Sequence, residues 1–495
     1  LNRLARIMPP NSFKSDESFL QKLAIGAAGT KATMVRLREL GFDPIELERG
    51  SSGFKLWKRI KIKRVRVPDI LCLRSGLRFE SRGKTKLEIS MSHSLADPNR
   101  AWNTGLADHD YVVIVVCKQA SESIVDWQPV SPIHFVRVED MRLAFAADKV
   151  KITRPKGVEE GSEIRVIWSS VGANAKSKVE DVTPKSILLH AIDDHIPQRC
   201  MLTRKSGELA PLCSPGQVVE KNQIVAAVTP LTLTLTSPID VGEDFFRNKL
   251  SSRILSERYA AAKALRFRGY QDADNELRSI MLDDQEDIYV RLEAAAALAA
   301  YDDEQGWLFL RSSLESDYDQ VQLETVIVLS EIKKVASQMM LIAVLADTQK
   351  HEEIRAGAAW ALGEFQSDEA ALTLASVFDE TSQEIKAEAA RALLRIAPAQ
   401  ASQLLDLIKS SNAVLRDGLA WVLARQGQFD PQELLEDKSD DNLRRWVGYI
   451  LGYGKDHFLA SALEEIATSD PEVYFSASVL WQLLASWIRD LKEYG

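Results

Sequence analysis

One nine-residue pattern recurs through the second half of the chain. It reads ERYAAAKAL from residue 257, VRLEAAAAL from 290, VQLETVIVL from 321, IRAGAAWAL from 354, IKAEAARAL from 385, LRDGLAWVL from 415 and LRRWVGYIL from 443, with a weaker copy, VYFSASVLW, from 473. Successive copies begin 33, 31, 33, 31, 30, 28 and 30 residues apart. A period of this length constrains the fold more than any other feature, because one helix pair cannot bury its apolar face alone and must stack on its neighbours. Residues 251–495 are therefore expected to form an all-α solenoid. Small residues at the sixth position of the pattern (Ala295, Ala359 and Ala390) allow adjacent helices to approach closely. The tryptophans that recur on these helices, Trp360, Trp421, Trp446 and Trp481, read as core or groove-lining residues.

The Val/Ile-Arg/Lys start, the alanine pairs and the closing leucine resemble HEAT repeats, in particular the short type of phycobilisome-lyase-like proteins. The resemblance covers residues 251–495 and implies a scaffold that docks a protein partner.

Charge divides the chain differently. Residues 1–100 carry 21 Lys and Arg against 10 Asp and Glu, a net +11, which leaves −20 for the remainder of a chain whose total is −9. A basic segment on an acidic protein points to a local polyanion site, since phosphate binding needs clustered cations. Its densest part is LWKRIKIKRVRV, with Lys58, Arg59, Lys61, Lys63, Arg64 and Arg66. These six would track a nucleic-acid backbone without reading its sequence; the plainer reading is a solvated basic strand. Cys72, Cys117, Cys200 and Cys213 are widely spread and form neither a disulfide framework nor a zinc-ligand spacing. With no secretory signal and no bilayer-spanning run, a cytoplasmic location is the expectation.

Residues 1–147 read as an α/β domain. ESFLQKLAIGAAGTKATMVRLREL is helical, with Asp16 as N-cap and a break expected at Gly26–Gly29. FDPIELERG gives a short strand, and IKIKRVRV alternates with period two, with a bulge near Lys63–Arg64. PDILCL, LRFESR and DYVVIVVC continue the strands, and PNRAWNTGL is expected as a helix. Residues 148–250 form a β-rich connector, in which SPGQVVEKNQIVAAV reads as a hairpin and TPLTLTLTSP as a strictly alternating strand.

If PDILCL and LRFESR pair about a turn centred between Arg74 and Ser75, Asp69 and Glu80 stand opposite each other on one sheet face. Two adjacent carboxylates are costly unless a cation separates them, and a hard divalent ion, Mg²⁺ or Mn²⁺, would meet that need. Arg78 and Arg82 share the face of Glu80 by period two, where a cation would neutralise charge developing on an attacked phosphate. Pro68-Asp69 followed by Glu80-Ser81-Arg82 on consecutive strands resembles the PD-(D/E)xK, or restriction-endonuclease-like, nuclease superfamily. That resemblance implies Asp69 and Glu80 as metal ligands in a Mg²⁺-dependent phosphodiester hydrolase. The family's lysine falls on Arg82, a departure, because Arg stays protonated; Lys84 would substitute if the strand persists through Gly83.

Other motifs are weaker. His93 in MSHS reads as a hydrogen-bonded structural residue, and Asp193-Asp194-His195 lacks a second ligand cluster. The whole chain thus reads as a nuclease-like α/β domain, a β connector and a helical solenoid that binds or cuts nucleic acid while the repeats dock a partner. The alternative is a pseudo-nuclease whose repeats are the working surface, an assembly or nucleic-acid-binding module; a bilin-lyase-like role leaves the first 150 residues unexplained.

Overall fold

The structure is a computed structural model. It describes residues 16–47, 65–121, 123, 125–154, 163–193, 196–204 and 207–426, with 440, 442, 443, 446 and 450. The described residues divide into two compact units, one ending at Ala297 and the other beginning at Leu298.

The first unit opens with α1 (Asp16–Glu39), β1 (Pro44–Glu46), β2 (Ile70–Cys72), β3 (Arg78–Lys84), β4 (Ile89–Ser94), β5 (Tyr111–Gln119), β6 (Trp127–Arg137) and α2 (Val138–Ala146). Five strands form one sheet in the order β1-β2-β3-β5-β6. Only β3 and β5 run parallel in it; the other pairs are antiparallel. Strand β5 is buried from Val112 to Cys117, as a sheet covered on both faces requires. Val113, Val115 and Cys117 join Ile70, Phe79 and residues of α1 in one core. Val112 and Ile114 join Val136, Met141 and Trp168 in a second core on the other face.

The same alternation divides β3. Phe79, Ser81 and Gly83 face α1, and Arg78, Glu80, Arg82 and Lys84 take the opposite face. The expected break in α1 at Gly26–Gly29 is not found; the helix runs unbroken from Asp16 to Glu39. Its glycine serves contact instead. A Cβ on Gly29 would lie 2.9 Å from Gly83 Cα, and one on Gly83 would lie 2.1 Å from the Ile25 carbonyl oxygen. Thr33 Oγ1 and Ser81 Oγ, 3.0 Å apart, fix the same approach.

Strand β4 leaves this sheet and pairs with β8 (Glu163–Trp168), which also pairs with β7 (Val150–Thr153). The helix expected over PNRAWNTGL is only a 3₁₀ turn at Pro98–Arg100. Beyond it the Trp102 N–H donates to His93 Nδ1 (3.2 Å), and Gly105 takes a φ of +78°, outside the helical region.

The connector contains β9 (Ser170–Gly172), β10 (Ser177–Val182), β11 (Ser186–Ala191), β12 (Pro197–Met201), β13 (Thr203–Arg204), β14 (Gly207–Glu208), β15 (Ala210–Pro211), β16 (Val218–Val219) and β17 (Ile224–Ala227). The expected hairpin over SPGQVVEKNQIVAAV is not one: β16 pairs with β10, whereas β17 lies between β15 and β9 in another sheet. Residues 229–238 do not form the expected strand either. Only Thr232 bridges to Phe135, and the Thr232 hydroxyl donates to the Thr234 carbonyl and accepts from its N–H. A side chain that bonds its own backbone competes with a ladder.

The helices α3 (Gly242–Lys249), α4 (Leu255–Arg268), α5 (Asp274–Leu282) and α6 (Ile288–Ala300) follow. Then come α7 (Glu304–Leu314), α8 (Asp319–Ile332), α9 (Val335–Ala346), α10 (Glu352–Leu362), α11 (Asp368–Ser376), α12 (Gln383–Ser410) and α13 (Ala413–Gln426). The nine-residue pattern falls on α4, α6, α8, α10, α12 and α13. Ala295 and Ala359 are fully buried; in α12 it is Ala389, not Ala390, that reaches zero exposure. Helix α12 bends at Gln400, just after Pro398, the usual cause of a kink. Among the described residues no helix is long and apolar enough to cross a membrane.

Candidate functional site

Strands β2 and β3 pair in the expected register, Ile70 with Phe79 and Leu71 with Arg78, and the pairing ends there, one residue short of Asp69 and Glu80. Asp69 is buried at the bend before β2, and its Oδ2 accepts the Ser81 N–H at 2.7 Å. Glu80, 14% exposed, is ion-paired with Arg82, two residues on along the same face. Each carboxylate thus has a positive or donor partner supplied by β3 itself. A hydrogen bond to a carboxylate and a neighbouring guanidinium both stabilise its charged form without a metal. Among the described residues no group of three or more His, Cys, Asp or Glu side chains could hold a metal ion.

Lys84 reaches the same face because β3 continues through Gly83. Its ammonium donates to the Ser90 carbonyl oxygen (2.9 Å) and to Ser90 Oγ (3.2 Å) on β4. Burial, with Arg82 and Arg165 nearby and only Glu88 opposing them, lowers its pKa to about 8. Arg165, on β8, donates from Nε to the same Ser90 Oγ (3.1 Å) and pairs with Glu88 (2.6 Å). Of the basic run, Lys58, Arg59, Lys61, Lys63 and Arg64 lie outside the described residues; Arg66 is exposed and belongs to no strand. His93 accepts the Trp102 N–H, the structural role expected of it.

Arg78 is committed elsewhere, in a cluster that sequence reasoning missed. It is 2% exposed and grips Asp110, itself fully buried, through Nε–Oδ1 (3.0 Å) and a second bond to Oδ2 (2.6 Å). Its remaining nitrogen donates to Ser256 Oγ on α4 (2.8 Å), and Ser256 donates to the Gly105 carbonyl (2.5 Å). Asp110 Oδ2 also accepts the Ala107 N–H (2.6 Å). The only sequence signal was the acid that opens DYVVIVVC, which does not announce a partner 32 residues upstream.

In the repeats, the arginine at the second position of the pattern acts as a clamp. Arg291 Nε donates to the Met281 carbonyl, Arg355 Nε to Leu345 and Arg416 Nε to Ile408, each at 2.9 Å and each near the C-terminus of the preceding helix. A positive charge there satisfies an orphan carbonyl and opposes the helix dipole. The same arginines pair with Asp284 (2.9 Å), Glu380 (2.5 Å) and Asp440 (2.7 Å). On α8 the position holds Gln322, and the carbonyl of Leu314 receives Lys350 Nζ instead (2.8 Å).

A family model of HEAT repeats matches residues 307–394 and 339–424, so the solenoid is HEAT-like. No curated protein is similar to the chain in sequence. Among solved structures, the complex of CpcE and CpcF of phycocyanin lyase from Nostoc sp. PCC7120 is 18% identical over 50% of this chain and 95% of that one, with a TM-score of 0.24. Human deoxyhypusine hydroxylase in complex with glycerol is 16% identical over 43% and 96%, with a TM-score of 0.21. The archaeal HEAT-like repeats protein from Thermococcus onnurineus NA1 is 15% identical over 43% and 97%, with a TM-score of 0.22.

Proposed function

We propose that this chain is a protein-assembly scaffold: its HEAT-like repeats dock a protein partner, and its N-terminal sheet domain is a nuclease-like module without cleavage activity. The observation that carries this reading is the run of clamped HEAT repeats, an architecture whose stacked pairs build extended binding surfaces. The pairing of Arg82 with Glu80, and of Asp69 with the Ser81 N–H, supports the inactive half of the reading.

A second reading, a Mg²⁺-dependent PD-(D/E)xK nuclease, draws support from Lys84 sharing a strand face with Glu80. The intact chain, incubated with labelled single- and double-stranded DNA and RNA in Mg²⁺, Mn²⁺ or chelator beside Asp69→Ala, separates the two. The scaffold reading expects no cleavage that requires both metal and Asp69. Cleavage with both dependences would overturn it and establish the nuclease.

A further inference from the structure

The Lys84 ammonium has no anion of its own. Both of its acceptors are neutral Ser90 oxygens, and among the described residues no carboxylate lies at ion-pair distance from it. Two guanidiniums flank it: Arg82 two positions back on the same strand face, and Arg165 bonded to the same Ser90 Oγ. Each guanidinium already has a carboxylate, Glu80 and Glu88 respectively. Neither of these carboxylates is bonded to Lys84.

We propose that Lys84 is a carbamate-forming site for carbon dioxide, a role that goes beyond the scaffold reading and does not depend on it. The neutral amine's lone pair attacks the carbon of CO₂, an N–C bond forms, and one C=O π pair moves onto oxygen. The nitrogen then releases one proton to water. The product is an N-carboxylate of charge −1, with no change of oxidation state and no further reactant.

Two features favour this side chain. The first is the supply of neutral amine. With its proton held only up to about pH 8, about one-fifth of Lys84 is neutral at pH 7.4, against about one in a thousand for an ordinary lysine. The second is the local field: burial is the larger cause of the lowered pKa, and the two guanidiniums that add to it stabilise a carboxylate in the ammonium's place. Guanidinium forks are matched to paired carboxylate oxygens. A neutral amine keeps both bonds to Ser90 with its two N–H groups and leaves its lone pair for CO₂. The Arg82 and Arg165 side chains, 38% and 45% exposed, open this cluster to water. The modification would change the charge of the Lys84 side chain from +1 to −1 where β3 meets β4.

The test is ¹³C NMR of the intact chain in ¹³C-bicarbonate between pH 6 and 9, compared with Lys84→Met, Lys84→Arg and Arg165→Gln, each confirmed folded by circular dichroism. The α-amino group gives its own carbamate signal in every sample. The expected result is one additional carbamate signal in the wild type that weakens toward pH 6. It should be absent from both Lys84 variants and several-fold weaker in Arg165→Gln. A folded wild type without the additional signal, or a signal that survives in Lys84→Arg, would overturn the proposal.

Discussion

Lys84 illustrates how burial makes a single residue respond to pH. In the unfolded chain it keeps its proton to about pH 10.4, in the folded chain only to about 8. Between these values the unfolded state binds the extra proton, so this group makes stability rise with pH across that window. Below about pH 8 both states are protonated and the penalty is constant. Lys84→Met is therefore expected to raise stability at pH 7 by roughly 3 kcal/mol and to flatten the alkaline rise, read from urea midpoints between pH 7 and 10. His134 follows the same sign at the acid end. Its Nε2 accepts the Ile224 N–H at 2.9 Å, and burial lowers its pKa to about 4. Below about pH 6.5 the unfolded imidazole gains a proton that the folded one refuses, so this contribution is lost as pH falls toward 4. Arg78 is a residue of another kind. Removing one member of a buried, hydrogen-bonded ion pair strands its partner, and Arg78→Ala is expected to cost about 3–5 kcal/mol in equilibrium unfolding of the first transition. A loss below about 1 kcal/mol would mean that Asp110 finds another partner or water.

At the scale of elements, α1 packs tightly against β3 at its glycines. Gly83→Ala would place a methyl group 2.1 Å from a backbone oxygen that cannot move without shifting the helix. The expected outcome is loss of the folded first unit, or destabilisation beyond the roughly 1–3 kcal/mol of ordinary overpacking, read by circular dichroism and urea titration. The arginine clamp makes a parallel prediction for the repeats. Arg355→Ala leaves the Leu345 carbonyl and Glu380 without their donor, and a loss of about 1.5–3 kcal/mol is expected in the helical transition. Arg355→Lys should recover only part of that loss, because a single ammonium cannot reproduce the fork. Elements whose period matched their environment were legible in the sequence: the β2–β3 register, the apolar β5 and the repeated helices. The errors arose where local pattern and tertiary partner disagree. AIGAAG looked like a helix break because its glycine was judged without the strand that packs on it. Val218 and Ile224 looked like the two arms of a hairpin, yet their strands pair with β10 and with β9. The threonine-leucine alternation at 229–238 meets the edge strand β6 only at Thr232, whose hydroxyl is bonded to the backbone of Thr234. The second-position arginine was visible in most of the aligned copies, but its acceptor was not, since a carbonyl has no sequence identity.

At the scale of the whole molecule, the repeats and the N-terminal sheet divide the chain's proposed work. In the proposed reading, the HEAT-like helices with their arginine clamps are the surface for a partner. On the N-terminal sheet, the two acids that a nuclease would need for metal are held by groups of β3. The candidate site was legible in part, in that β2 and β3 pair in the expected register. Its occupancy was not, because neither the Glu80–Arg82 pair nor the Ser81 N–H bond follows from spacing alone. The most direct measurement is a Mn²⁺ titration of the intact chain by electron paramagnetic resonance, with Asp69→Ala in parallel. The account predicts that the free Mn²⁺ signal of wild type and variant coincide at equimolar metal. Stoichiometric loss of that signal in the wild type, restored by Asp69→Ala, would contradict it and return the sheet domain to the nucleases.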